Sequence, residues 1–261
     1  MKPWTLVVLP VLALAGCTVN LPSDAPAAPM SVIEARQTIH GLADPKGNYF
    51  IKVDGVSARQ GRNPRPVLSH DAVHFGNVDI PFRDIGAMSV YYEQAGSMQD
   101  MSIRLTTPGH PHTVAISQQG NMPHVDERRL ASALLVLKQG AEKYSSAQTA
   151  FEQAAASYLA AEPKPPLPES VRRYQIQAEE AVRNQQFLRA AETYAAALDE
   201  VPAWPQGHFN FALVLESLDD YELAIEEMQR YLALVPDASN ARAAQDMIYR
   251  WQTRLPDSAG Y

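Results

Sequence analysis

FLRAAETYAAALDEVP at residues 187–202 and YELAIEEMQRYLALVP at residues 221–236 are two versions of one pattern. Pro236 follows Pro202 at an interval of 34, and the same interval separates Ala190 from Ala224 and Phe187 from Tyr221, the aromatic residues that open each stretch. Upstream, Ala178 and Ala212 keep it too. Self-similarity at a fixed period of this size marks supersecondary units that stack on one another. The residue types fit such stacking. Alanine where two helices cross lets their backbones approach, aromatic rings fill the space between units, and proline ends a helix because it cannot continue the hydrogen-bond ladder. Four matches in phase set the pattern apart from a helical bundle whose alanines merely pack.

The period and its small residues resemble the tetratricopeptide repeat, a helix-turn-helix unit of about 34 residues. The resemblance places one unit at Val171 to Trp204 and a second at Pro205 to Ala238, with a cap helix from Asn240 to Leu255 carrying Met247, Ile248 and Trp251. Gln177, Ala181 and Tyr231 depart from the residues the family prefers. Stacked repeats usually need ~3 units for stability, so support from a helix at 145–162 is expected. The resemblance also implies a groove lined by the first helix of each unit. By register that face carries Arg172, Gln175, Glu179, Val182 and Arg183, then Gln206, Phe209, Leu213, Glu216 and Ser217, with Met247 and Trp251 from the cap. Gln175, Glu179 and Leu213 do not suit a clamp for a C-terminal carboxylate. Phe209, Leu213, Met247 and Trp251, flanked by Arg172 and Arg183, suit an apolar or amphipathic segment of an envelope protein.

Pro163-Lys164-Pro165-Pro166-Leu167-Pro168 stops any helix and marks the domain boundary. Residues 31–166 hold 13 acidic and 13 basic side chains, residues 167–261 hold 15 and 8, so the excess negative charge belongs to the C-terminal part. Before the boundary the apolar period is two: Tyr49, Ile51, Val53; Met88, Val90, Tyr92; Met101, Ile103, Leu105; Val114, Ile116. Alternation of this kind predicts half-buried strands, and the turn residues between them predict an antiparallel meander. A helix follows, with Asp126 as N-cap and Leu130, Ala133, Leu134, Leu137, Ala141 and Tyr144 along one face. Strands closed by one helix, together with the run Val78 to Ile85, resemble the pleckstrin-homology type of half-barrel in its bacterial form. Lipid-binding members carry basic residues in the first hairpin loop, where Arg59, Arg62 and Arg65 stand here. Asn63 breaks the phosphoinositide spacing, and a solvated loop is the better reading.

At the N-terminus, Lys2, the apolar run Leu6 to Leu14 and the small residues before Cys17 form a signal peptide, too short to span a bilayer as a helix. Leu14-Ala15-Gly16-Cys17 resembles the lipobox of bacterial lipoproteins, which implies cleavage before Cys17, diacylglycerol on its thiol and an N-acyl chain such as palmitate. Thr18 in place of aspartate implies sorting to the periplasmic face of the outer membrane rather than retention in the inner one. The organisation expected is therefore signal peptide 1–16, lipidated tether 17–30, β-rich domain with capping helix 31–144, helix and proline-rich linker 145–168, repeats with cap 169–255 and tail 256–261.

The 261 residues, 46% hydrophobic and 20% charged, are globular in composition. A net charge of -7 argues against a nucleic-acid binder. One cysteine excludes an internal disulfide, a multi-thiolate zinc site and dithiol redox chemistry. His70, His74, His110 and His112 read as turn histidines rather than ligands, and no phosphate loop, nucleophile elbow or zinc-protease helix occurs. The fold class expected is α+β, and the function expected is that of a non-catalytic lipoprotein adaptor that needs no cofactor and no metal. A second reading has the β-rich domain hold an envelope lipid or glycan, with the repeats supporting it.

Overall fold

The computed structural model describes residues 18–20, 30–42, 49–54, 56–59, 66–75, 78–95, 98–109, 111–119 and 126–255. Cys17, Arg62, Arg65 and His110 lie outside them. The chain is α+β. A strand β1 (Thr18–Asn20) and a helix α1 (Val32–His40) come first, followed by β2 (Tyr49–Val53), β3 (Val56–Arg59), β4 (Val67–Leu68), β5 (Ala72–Phe75), β6 (Val78–Pro81), β7 (Ala87–Ala95), β8 (Met98–Thr106) and β9 (His112–Gln119). Helices α2 (Glu127–Ala160), α3 (Glu169–Arg183), α4 (Phe187–Glu200), α5 (Pro205–Ser217), α6 (Tyr221–Leu234) and α7 (Ala241–Gln252) complete it.

The predicted strands form, but not as one meander. A six-stranded antiparallel sheet has the order β1-β7-β8-β9-β2-β3, and β4-β5-β6 make a separate three-stranded sheet. The break has a local cause: after β6 the chain turns through a short 3-10 segment, Phe82–Asp84, and Phe82 is fully buried, so β7 starts in a new direction. Period-two patterning sets which face of each strand is buried but not which strand lies beside it. Ile103 and Leu105 are buried while Arg104 and Thr106 are exposed, and the same core takes Val90 and Val114. Thr18–Asn20 pairs with Ser89, Met88 and Ala87, so the segment expected as an open tether begins as an edge strand.

Asp126 caps α2 as expected, accepting from the N–H groups of Arg128 and Arg129. The helix then runs 34 residues without interruption, about 51 Å at 1.5 Å per residue. Its first turns bury Leu130, Leu134 and Leu137 in the β-rich core, and farther on Phe151 and Ala155 pack with Leu234 of α6. One helix thus crosses the boundary expected at 144/145. The proline-rich run is anchored at both ends rather than open: the Lys164 ammonium donates to the carbonyls of Tyr158, Leu159 and Ala161 at the end of α2, and Leu167 packs on the helical core.

Beyond it the interval read from the sequence recurs in the backbone itself. Gln185 and Asp219, one interval apart, both take positive φ, 57° and 58°, in the turns α3–α4 and α5–α6. Gln186 N–H donates to Ala181 O, and Asp220 N–H to Leu215 O, one interval later. Ala178, Ala190, Ala212 and Ala224 are each at 0% exposure. Gly207 has its own reason: the Trp204 ring lies over α5 so closely that a Cβ here would come within 2.2 Å of it.

Helix α1 has no counterpart in the expected organisation, and it joins the two halves. Ile33 enters the core of the helical array, whereas Ala35, Ile39 and Leu42 enter the β-rich core. Ser31 caps it, accepting from Glu34 N–H, and its hydroxyl donates to Glu192 of α4 at 2.6 Å.

Candidate functional site

The densest polar cluster sits where α1 meets the α5–α6 turn. Asp220, at 0% exposure, caps α6 by accepting from Leu223 N–H. Arg36 of α1 reaches it with two charge-assisted hydrogen bonds, Nε to Oδ2 at 2.6 Å and Nη2 to Oδ1 at 2.7 Å, while Nη2 also donates to the Leu68 carbonyl at 3.1 Å. Burial pushes the Asp220 carboxyl up, but the charge and hydrogen bonds of Arg36, with His40 behind them, hold it far below the usual carboxylate range. Burial likewise opposes the charge on Arg36, and Asp220 outweighs it, so the guanidinium stays protonated. His40 Nε2 lies 3.7 Å from Asp220 Oδ1. Glu222, also buried, accepts from Leu68 N–H through Oε1 at 3.3 Å, and its Oε2 has no hydrogen-bond partner. His40, Asp220 and Glu222 bring one ligating atom each within 4.8 Å of one another.

A second network continues along α6. Arg230 pairs with Glu226 at 2.6 Å and Glu227 at 2.9 Å, and lies over the Phe151 ring of α2. His208 of α5 is enclosed, its Nδ1 at 2.6 Å from Glu227 Oε2 and its Nε2 at 2.7 Å from the Pro202 carbonyl. The Tyr144 hydroxyl donates to Glu226, and burial together with that carboxylate raises its pKa to about 12. Tyr144 also stacks on His70, with ring centroids 3.7 Å apart. A cleft of about 570 Å³ opens beside this network among α1, α2, α4, α5 and α6, its walls including Ile33, Ala150, Ala195 and Phe211. Clefts of this size at the meeting of two structural units are common small-molecule sites. The β-rich core is filled instead, with a void of about 20 Å³ among apolar side chains such as Val73, Ile103 and Leu134.

The groove residues read from register divide three ways. Phe209, Leu213 and Met247 are half-buried against the array core, and Phe209 meets the edge of the Tyr231 ring at a centroid distance of 5.1 Å. Arg172 and Arg183 are exposed on α3, where Arg183 pairs with Glu180 and lowers that carboxyl's pKa. Trp251 is a correction: at 1% exposure it is core, not groove. Helix α7 turns its apolar stripe of Ala244, Ile248 and Trp251 into the core of the array. Exposed apolar residues that register alone did not single out as anchors are Ile176 at 55% and Val182 at 37%, both on α3.

His74 and His112 are also corrected, since both stand on strands and pair with carboxylates, His74 with Asp79 at 2.7 Å and His112 with Asp54 at 2.8 Å. Arg59 ends β3. Among the described residues no helix is long and apolar enough to cross a membrane. No known family model and no curated protein matches this chain.

Sequence reasoning missed Arg36, His40 and Glu222. Arg36 and Asp220 are 184 residues apart, and no short spacing signals their contact. A readable signal existed in α1 alone: Ile33, Arg36, Ile39 and His40 recur at helical spacing, with two ionisable groups on the face that carries two isoleucines.

Proposed function

We propose that this protein is a membrane-anchored periplasmic lipoprotein that works as a tetratricopeptide-type adaptor, holding a segment of an envelope protein against the first helices of its repeats. The observation that carries the reading is the recurrence, at the interval read from the sequence, of a whole helical hairpin: the same positive-φ turn, the same turn hydrogen bond and the same fully buried alanines. Such hairpins make extended concave surfaces, and this array offers half-buried Phe209 and Leu213 on α5 and exposed Ile176 and Val182 on α3. The β-rich half supports a pleckstrin-homology-type reading through its antiparallel sheet backed by α2 and departs from it through α1 and the separate three-stranded sheet. Cys17 supplies the anchor in this reading, with its two kinds of acyl chain, and the outer membrane is the expected site.

Two measurements test it on the full chain. Labelled palmitate should enter the wild type and not Cys17→Ala, which should leave the membrane fraction. Photo-crosslinking from position 176 or 182 in intact cells should yield one discrete adduct that Phe209→Ala weakens. A soluble, unlabelled wild type refutes the anchor, and a crosslinker that finds only scattered neighbours refutes the adaptor.

A further inference from the structure

The junction between α1 and the α5–α6 turn gathers more carboxylates than arginines. Arg36 and Arg230 face Asp220, Glu222, Glu226 and Glu227, and Arg36 feels Asp220, Glu222 and Glu226 together. Two arginines against four carboxylates leave two negative charges to be met by His40 beside Asp220, by His208 beside Glu227 or by a bound cation, in a region where Asp220, Glu222 and Glu227 are buried. Removing charge from water without compensation is costly. The buried Glu222 Oε2 is the atom at which that deficit is plainest, because it has no hydrogen-bond partner at all.

We propose that His40, Asp220 and Glu222 bind a divalent transition-metal ion of the Zn²⁺ class, which clamps α1 to the N-terminus of α6. One imidazole nitrogen and two carboxylate oxygens are a donor set that such ions accept, a solvent molecule completing four-coordination. The three ligating atoms already lie within 4.8 Å of one another, and His40 Nε2 is 3.7 Å from Asp220 Oδ1. Bonds of about 2.0–2.2 Å in a tetrahedral site bring ligand atoms to roughly 3.3 Å, so closure shortens the separations by up to about 1.5 Å. Arg36 does not displace the ion. A carboxylate offers about four lone-pair sites; on Asp220, Oδ1 accepts from Arg36 Nη2 and Leu223 N–H and Oδ2 from Arg36 Nε, which leaves the second site of Oδ2 for the ion. Arg36 then acts as the outer partner that orients a ligating carboxylate. The ion sets its charge against Asp220 and Glu222, which otherwise share Arg36.

Because the ligands come from segments at opposite ends of the chain, the site exists only when both halves are docked, and binding adds to folding stability. Histidine pairs elsewhere are distinguishable, since His74 with Asp79 and His112 with Asp54 lie on the sheets.

The test uses the full chain, stripped with chelator and titrated with Zn²⁺ by calorimetry, with bound metal counted by mass spectrometry. One equivalent should bind and raise the melting temperature; Glu222→Gln and His40→Gln should each weaken binding at least tenfold, while His74→Gln and His112→Gln leave it unchanged. X-ray absorption on the Zn²⁺-loaded wild type, which needs no variant to fold, should show one imidazole among oxygen ligands. Failure to retain an equivalent, a shell of several imidazoles, or affinity that follows His74 or His112 would overturn the proposal.

Discussion

Replacing Arg36 by methionine removes the cation from a carboxylate that is wholly enclosed, and the structure sets the size of the effect. Two hydrogen bonds at 2.6 and 2.7 Å and one to the Leu68 carbonyl at 3.1 Å are lost, and Asp220 is left at 0% exposure beside the equally buried Glu222. Breaking one side of a buried ion pair typically costs about 3–5 kcal/mol, because an uncompensated charge remains. Against a total stability of about 5–15 kcal/mol for a domain, that is at least about a fifth of the total. Methionine keeps most of the side-chain volume, so the loss is electrostatic rather than a cavity. Asp220→Asn in the same chain removes the stranded charge and should recover part of the loss. Urea denaturation followed by the fluorescence of Trp204 and Trp251, which sit in the helical core, reads the repeat half directly. If Arg36→Met costs less than about 1 kcal/mol, or if the double variant is less stable than Arg36→Met alone, the pair is not the latch described here.

Ala190→Leu and Ala224→Leu should each destabilise by about 1–3 kcal/mol through overpacking in thermal melts, since both positions are at 0% exposure. Gly207→Ala should destabilise although alanine favours a helix by about 1 kcal/mol, because the added Cβ meets Trp204 at 2.2 Å; a red-shifted tryptophan emission would accompany the loss. Phe209→Ala should cost only about 1–2 kcal/mol, below the roughly 3–5 kcal/mol of a fully buried phenylalanine, and reduce crosslinking to the partner; a larger loss would place it in the core. For Tyr144, whose ordinary value of 10.0 is raised to about 12 in the folded state, the neutral phenol is favoured by folding. Its contribution is complete below pH 10 and lost as pH rises toward 12, so stability should fall more steeply over that window in wild type than in Tyr144→Phe.

The elements with a strong internal period were legible. Strands β2, β7, β8 and β9 carry the alternation read at Tyr49, Met88, Met101 and Val114, and Asp126 caps α2 where a side-chain acceptor before an amphipathic run predicts it. Strands that follow one another, β2–β3, β4–β5–β6 and β7–β8–β9, pair as a meander predicts, but the split into two sheets and the pairing of β9 with β2 were not legible, because alternation fixes a face and not a partner. Nor was α1, whose nine residues follow a proline-rich stretch and whose apolar face is divided between two cores. Trp251 shows where register fails: extrapolating the phase of α5 to α7 puts the indole in the groove, whereas α7 buries it with Ala244 and Ile248 in the core of the array.

What the sequence by itself determined are the properties that neighbours along the chain enforce: helical hairpins at a fixed interval, strands of period two, turns at glycine and proline, and a cysteine at the end of an apolar run. The tertiary structure decided which buried charges meet. Arg36 and Asp220 stand 184 residues apart, and neither residue's local surroundings mark it as half of an ion pair. Burial makes that contact strong, since a charge taken out of water is stabilised only by another placed within hydrogen-bond reach, and that placement exists only once α1 has folded between the two halves.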